Sequence, residues 1–267
     1  MKKILAFDLD GTILDEYGRL SSVFCSYLEQ LKSRDYLVTF ITGRNPFSVK
    51  SVVGDAGLSC PISCSNGAVL MDAVSGEILE KNCFPESSLN DILSLSDKIG
   101  IEALEFQLED KYVFSLDAYN WVMDNLPYVL PGAAFVPDNE FKELSHMSFK
   151  FDVLGSIHRI NEFYNEVIKS SYDFELVKGS ISTSLEITPA GINKGYGLER
   201  LCDICMVPVE ASIVIGDSYN DVSMFRKAGI SYAMGNAPDE VKKEADIVSP
   251  FTGLDSLRWI LDHILSE

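Results

Sequence analysis

Positive charge is scarce in this chain. Only 22 Lys and Arg stand against 40 Asp and Glu in 267 residues, a formal net charge of −18. A protein that grips nucleic-acid phosphates without sequence preference needs a basic footprint to displace counterions, so that class is excluded. Small anions stay within reach, because a few backbone N–H groups, one lysine or a cation can reverse the field locally. No apolar run nears the ~20 residues that span a bilayer, and the apolar start after Lys2 and Lys3 is broken by Asp8 and Asp10. No membrane partner is expected. The six cysteines (25, 60, 64, 83, 202 and 205) are too thinly spread for a disulfide scaffold, which points to a reducing cytoplasm. The three histidines (146, 158 and 263) are scattered, and packing roles are expected for each.

Apolar residues are not lacking. At 46% they suffice for a packed core, which excludes disorder, and the length suits one large domain or two modest ones. Residues 3–9 read as a buried strand that stops at Asp10-Gly11-Thr12, followed by a helix opened by Ser21-Ser22. Residues 36–42 read as a second continuous apolar strand, 46–53 as a helix and 61–64 as a third strand. Near the far end, 211–215 and 231–234 read as strands, with helices over 221–228, 240–244 and 254–265. Unbroken apolar strands separated by helices indicate a parallel sheet covered on both faces, a doubly wound α/β core. The middle has another texture. A hairpin about Ser75-Gly76 precedes helices over 88–99, 118–126 and 157–170 and strands over 104–108, 112–114, 147–153, 174–177 and 184–187. This mixed α and antiparallel β stretch predicts an inserted α+β domain at 83–188, with the core formed by 1–82 and 189–267.

Four short stretches fall at or just beyond the C-terminal ends of core strands, where open parallel sheets bind ligands. They are Asp8-Leu9-Asp10-Gly11-Thr12, Thr42-Gly43-Arg44, Ser65-Asn66-Gly67 and Gly216-Asp217-Ser218-Tyr219-Asn220-Asp221. Taken singly, each also suits a turn or a helix cap, and Asn66-Gly67 reads first as a turn. Asp8 and Asp10 together do not. Two carboxylates closing a buried strand repel each other and lose hydration unless a cation lies between them. Asp217 and Asp221 follow another apolar strand and bring the candidate acids to four. An all-oxygen donor set of this kind favours Mg²⁺. Lys194 opens a helix, where a positive charge opposes the helix dipole; a pocket of acids that also holds a phosphate gives it a purpose.

These motifs together resemble the haloacid dehalogenase superfamily of phosphatases, in its Cof-type, hexose-phosphate-phosphatase-like group. Asp8-Leu9-Asp10-Gly11-Thr12, Thr42-Gly43-Arg44, Lys194 and Gly216-Asp217-Ser218-x-Asn220-Asp221 match the four family motifs in order. Ser65-Asn66-Gly67-Ala68 and Met234-Gly235-Asn236-Ala237 match two further signatures, so the likeness spans residues 8 to 237. Thr252-Gly253 departs from the Asp-Gly of many members, outside the chemistry. The resemblance implies a Rossmann-like core with an α/β cap inserted between the second and third motifs. It also implies a Mg²⁺-dependent phosphomonoesterase for small phosphorylated metabolites, sugar phosphates foremost, in which Asp8 attacks phosphorus to give an aspartyl-phosphate and Asp10 serves as acid and base. Metal binding is then expected at Asp8, the Asp10 carbonyl and Asp217, with Asp221 holding a metal-bound water or supporting the site. Thr42, Gly43, Lys194 and Asn220 are the expected phosphate ligands, the roles of Arg44 and Asn66 stay open, and the cap is expected to set specificity. A phosphomutase using the same intermediate and a non-catalytic phosphosugar-binding regulator are the rival readings. A monomer or weak homodimer is expected.

Two other groupings have plainer explanations. Cys202-x-x-Cys205 lies in a helical stretch without a second pair at zinc-finger spacing, and although Cys60 and Cys64 could complete four ligands, free cysteines more often pack as small hydrophobes. Tyr119, Trp121, Tyr128 and Phe135 read as the aromatic core of the insertion ahead of a substrate platform.

Overall fold

A computed structural model describes residues 2–54, 56–58, 60–126, 132–179 and 181–266. The first part of the chain runs β1 (Lys3–Phe7), α1 (Ser22–Ser33), β2 (Tyr36–Phe40), α2 (Pro46–Val53), β3 (Ile62–Cys64), β4 (Val69–Met71) and β5 (Ile78–Lys81). The middle runs α3 (Glu86–Ile99), β6 (Ala103–Gln107), β7 (Tyr112–Ser115), α4 (Tyr119–Asn125), β8 (Ala133–Val136), α5 (Asp138–Ser145), β9 (Phe151–Leu154), α6 (Ile157–Lys169), β10 (Phe174–Lys178) and β11 (Ser184–Pro189). The last part runs α7 (Lys194–Cys205), β12 (Ser212–Gly216), α8 (Val222–Phe225), β13 (Ile230–Ala233), α9 (Asp239–Lys242), β14 (Ile247–Val248) and α10 (Gly253–Ser266). Two compact units emerge: Met1–Arg44, Val49–Glu80 and Asn193–Glu267 form one, Asn45–Ser48 and Lys81–Ile192 the other.

The first unit is built on a parallel sheet in the order β14-β13-β12-β1-β2. Strand β1 is buried on both sides from Ile4 to Phe7, as its unbroken apolar run requires. Ile4 and Ala6 pack with Leu198 and Leu201 of α7 and with Met224 and Phe225. Among the aromatics, Phe7 meets Phe24 of α1 edge-on at 5.2 Å between ring centroids. Helix α1 starts where Ser21 accepts the Phe24 N–H, the cap its sequence announced. The third strand meets the expectation of a parallel member only in part, since its one bridge to the main sheet is parallel. Strand β3 belongs to a separate sheet, β3-β4-β5, is antiparallel to β4, and meets the end of β2 through a single bridge between Ile41 and Ser63. Its chain is reversed at once by Ser65, Asn66 and Gly67, all at positive φ (49°, 56° and 96°), so β3 has no length over which to extend the main sheet.

The second unit carries a six-stranded mixed sheet in the order β10-β11-β9-β6-β7-β8, antiparallel throughout except for β7 with β8. Phe106, Phe151, Val153, Leu185 and Ile187 turn one face to Ile92 of α3 and Phe163 of α6. Alternate residues reach the opposite face, where Tyr112 and Phe114 pack with Val122. Phe135 stacks on Phe114 and meets Tyr119 edge-on, but the expected aromatic core forms only in part: Trp121 and Phe135 are half-buried against this cluster, Tyr119 is exposed, and Tyr128 lies outside the described residues.

Two elements of this unit went unread in the sequence. Strand β8 is only four residues long, and α5 starts after Pro137 with Asp138 and Glu140 in its first turn. Pro-Asp-Asn reads locally as a turn, whereas Phe141 and Ser145, buried one turn apart, secure a helix. The expected strand over 147–153 accordingly shrinks to Phe151–Leu154. No helix among the described residues is long and apolar enough to cross a membrane.

Candidate active site

Asp8 follows β1 directly, and its N–H continues the parallel ladder by donating to the Ile215 carbonyl at 2.9 Å. Asp217 follows β12, and Asp221 closes the 3₁₀ turn Tyr219–Asp221 that comes next. One carboxylate oxygen from each of Asp8, Asp217 and Asp221 lies within 4.8 Å of the others. No other group of His, Cys, Asp or Glu among the described residues has this metal-ligating compactness. Lys194 opens α7 and is fully buried; its Nζ lies 2.6 Å from Asp8 Oδ1 and 2.6 Å from Asp221 Oδ1.

The electrostatics follow from this crowding. Burial pushes the Asp8 carboxyl well above the usual range against the pull of Lys194, and Asp221, Asp217 and Asp10 push the same way. Asp217 is pushed up to about 7 by burial and by Asp221. For Lys194, burial acts downward, but Asp221 and Asp8 outweigh it and hold the ammonium above its ordinary value. One lysine therefore faces more negative charge than it can neutralise. A compact, half-satisfied, all-oxygen donor set is what a hard divalent cation fits.

Local structure explains why these side chains meet. Asp221 Oδ2 accepts from the N–H groups of Asp217 and Ser218, both at 2.8 Å, within a reciprocal capping box with Ser218. Both of its oxygens are thus engaged, one by backbone and one by Lys194. Asp217 accepts from Thr12 Oγ1 at 3.2 Å and from Asn236 Nδ2 at 3.1 Å. Gly11, at φ +76°, lets the carboxylate come this close, since a Cβ there would collide with Asp217.

The remaining expected residues divide. Thr42 is completely buried beyond β2, and its hydroxyl accepts the Arg44 N–H at 3.2 Å. Gly43 lies between them. Asn220 donates to Asn66 Oδ1 at 3.2 Å, which gives the left-handed turn at Ser65–Gly67 a role beyond reversing the chain. The Asp10 carboxylate does not join the acid cluster; it forms a two-point pair with Arg44, so any share in holding a cation falls to its backbone carbonyl. Sequence reasoning left Asn236 without a role and Arg44 undecided. Asn236 could have been suspected from its matched signature; nothing local tells that its amide crosses to Asp217 and to the Gly11 carbonyl.

Comparison with known proteins gives the family. A sequence profile of the haloacid dehalogenase-like hydrolases matches residues 5–261, and the chain belongs to that family, as a Cof-type phosphatase with an inserted cap. It is 29% identical to the 5-amino-6-(5-phospho-D-ribitylamino)uracil phosphatase YwtE of Bacillus subtilis, over 99% of this chain and 98% of that protein. The pyridoxal phosphate phosphatase YbhA of Escherichia coli is 24% identical over 98% of this chain and 99% of its own. Among solved structures, TM0651 from Thermotoga maritima superposes with a TM-score of 0.74 at 27% identity, covering 98% and 97% of the two chains. The subclass IIB sugar phosphatase BT4131 shares the fold, with a TM-score of 0.82 at 23% identity and coverage of 98% and 99%.

Proposed function

We propose that the protein is a Mg²⁺-dependent phosphomonoesterase that works through an aspartyl-phosphate on Asp8. The observation that carries this reading is the Asp8–Lys194–Asp221 chain, with Asp217 beside it, at the C-terminal edge of a parallel sheet. Lys194 fixes Asp8 through one oxygen, which limits the rotation of the attacking carboxylate and places positive charge next to the phosphoryl group. The Asp8 carboxylate attacks phosphorus, and the alcohol leaves with a proton from Asp10. Asp10 then takes a proton from the water that attacks the acyl-phosphate, releasing phosphate and restoring Asp8.

Asp8, Asp217 and the Asp10 carbonyl, with Asp221 in support, would hold Mg²⁺, which when bound supplies positive charge against the phosphoryl oxygens. Thr42, the Gly43 backbone, Lys194 and the amide of Asn220 are assigned to the phosphoryl oxygens. For Asn220 this requires its amide to serve Asn66 and phosphate together or in turn. The inserted unit is assigned the choice of leaving group, and sugar phosphates are the leading substrate class; the activities of YwtE and YbhA add a phosphoribityl pyrimidine and pyridoxal phosphate to the field. Phosphate release across a panel of these compounds, with and without Mg²⁺, tests the reading. Release that disappears in Asp8→Asn supports it, whereas isomerised product without free phosphate would identify a mutase.

A further inference from the structure

Arg44 takes no part in the chemistry assigned above, yet its guanidinium makes two contacts with Asp10, the proposed acid and base. We infer that Arg44 is a positioning residue that holds the Asp10 carboxyl at the angle from which it serves the leaving oxygen and the attacking water. This inference rests on the proposed role of Asp10.

The Asp10 side chain is 55% exposed. Left to itself, so open a carboxyl moves among several staggered rotamers, and a general acid works only from a narrow range of positions. Arg44 removes that freedom. Its Nε lies 2.7 Å from Asp10 Oδ2 and its Nη2 lies 2.5 Å from Oδ1. Two parallel contacts from a planar fork fix both the direction and the plane of a carboxylate, whereas one contact leaves it free to rotate.

The fork is itself anchored. The Arg44 side chain is only 17% exposed, its N–H donates to Thr42 Oγ1 at 3.2 Å, and its carbonyl accepts the Ser65 N–H at 2.8 Å. The segment after β2 thereby sets the orientation of a group in the segment after β1. Ion pairs this open to water contribute little to stability, so the value of this one lies in orientation. A reacting group misplaced by about 1 Å can cost on the order of 10²-fold in rate, so orientation alone is a sufficient reason for the pair.

The test compares R44M, R44K, D10N and the D10N/R44M double variant on an aryl phosphate with an acidic phenol and on an alkyl phosphate. An acidic phenolate departs without a proton and an alkoxide does not, while kcat/KM reports only steps up to phosphoryl transfer to the enzyme. For R44M, kcat/KM should fall about tenfold or more with the alkyl phosphate and by less than about threefold with the aryl phosphate. R44K should recover part of the loss, and the double variant should be no slower than D10N, because Arg44 acts through Asp10. Equal loss on both substrates with a raised KM would make Arg44 a phosphate ligand and overturn the inference, as would additive losses in the double variant. If D10N itself shows no dependence on leaving group, the acid role of Asp10 falls and this inference with it. A selective D10N beside a uniform R44M removes the inference alone. Should R44M melt below the assay temperature, R44Q provides the same comparison.

Discussion

Each of the two units buries a lysine among carboxylates, and the contrast between them separates a site from a piece of architecture. In the core unit, Lys194 meets Asp8 and Asp221 just beyond strand ends, and the acids are drawn from segments far apart in sequence. In the inserted unit, Lys150 lies 3.2 Å from Asp152 and 3.2 Å from Glu186, and these acids face each other across β9 and β11 in register. Glu105 of β6 stands opposite Asp152 in register, and burial, then Asp152, push its carboxyl well above its ordinary value. The inserted cluster thus answers Asp152 and Glu186 with Lys150, across neighbouring strands of one sheet. The core cluster likewise sets one lysine against three carboxyls, of which burial pushes Asp8 and Asp217 upward. Only there, among the described residues, do the carboxylate oxygens lie close enough together to hold a cation.

That contrast can be broken by removing each lysine. Lys150→Met leaves buried acids without a counter-charge and should cost about 3–5 kcal/mol in denaturant unfolding, less at pH 5 than at pH 8 because the acids can then take up protons. Mg²⁺ should not restore it. Lys194→Met creates the same deficit in the core, but there Mg²⁺ should recover much of the lost melting temperature, since a cation binds the folded acid triad and not the unfolded chain. Equal rescue of both variants would erase the distinction between the clusters.

A smaller effect sharpens it. With metal removed, folded Asp217 keeps a proton up to about pH 7, while the unfolded chain loses it from about 3.8. The folded state binds more protons in that window, so stability should fall as pH rises through it, by on the order of 2 kcal/mol after allowing for solvent screening around a half-buried group. Asp217→Asn should flatten the profile, and saturating Mg²⁺ should do so in the wild type. A profile that rises over the same window in metal-free protein would contradict the charge surplus. The smallest expected change serves as a yardstick outside both clusters. Ser21→Ala removes the cap of α1 and should cost about 1 kcal/mol at every pH, with or without Mg²⁺.

The same two regions show what a sequence reveals. The core strands were legible because burial on both faces leaves long unbroken apolar runs such as Ile4–Phe7, and the acids stood out because Asp8, Asp10 and Asp217 interrupt those runs where a turn alone does not need them. Helix α2 was legible to the residue, with Pro46 at its start. What escaped depended on tertiary partners. Strand β3 reads as one more apolar strand; Asn66-Gly67 announces a turn after it, but nothing local announces that Ser65 is left-handed as well and reverses the chain at once. The arrest of Asp10 by Arg44 and the reach of Asn236 to Asp217 join segments 34 and 19 residues apart. Spacing cannot show them.

The central claim is that Asp8, held by Lys194 within the acid triad, is the group that receives the phosphoryl. Rapid acid quenching of D10N during turnover of an aryl phosphate, followed by peptide mass spectrometry, measures it directly. Formation of the phosphoenzyme survives in that variant with an acidic leaving group, while hydrolysis of the intermediate, which needs the base, is slowed. The account predicts a peptide heavier by one phosphoryl group at Asp8, discharged by hydroxylamine as acyl-phosphates are, and absent from D8N/D10N. A phosphoryl group on any other residue, or sustained turnover in Asp8→Asn, would contradict it.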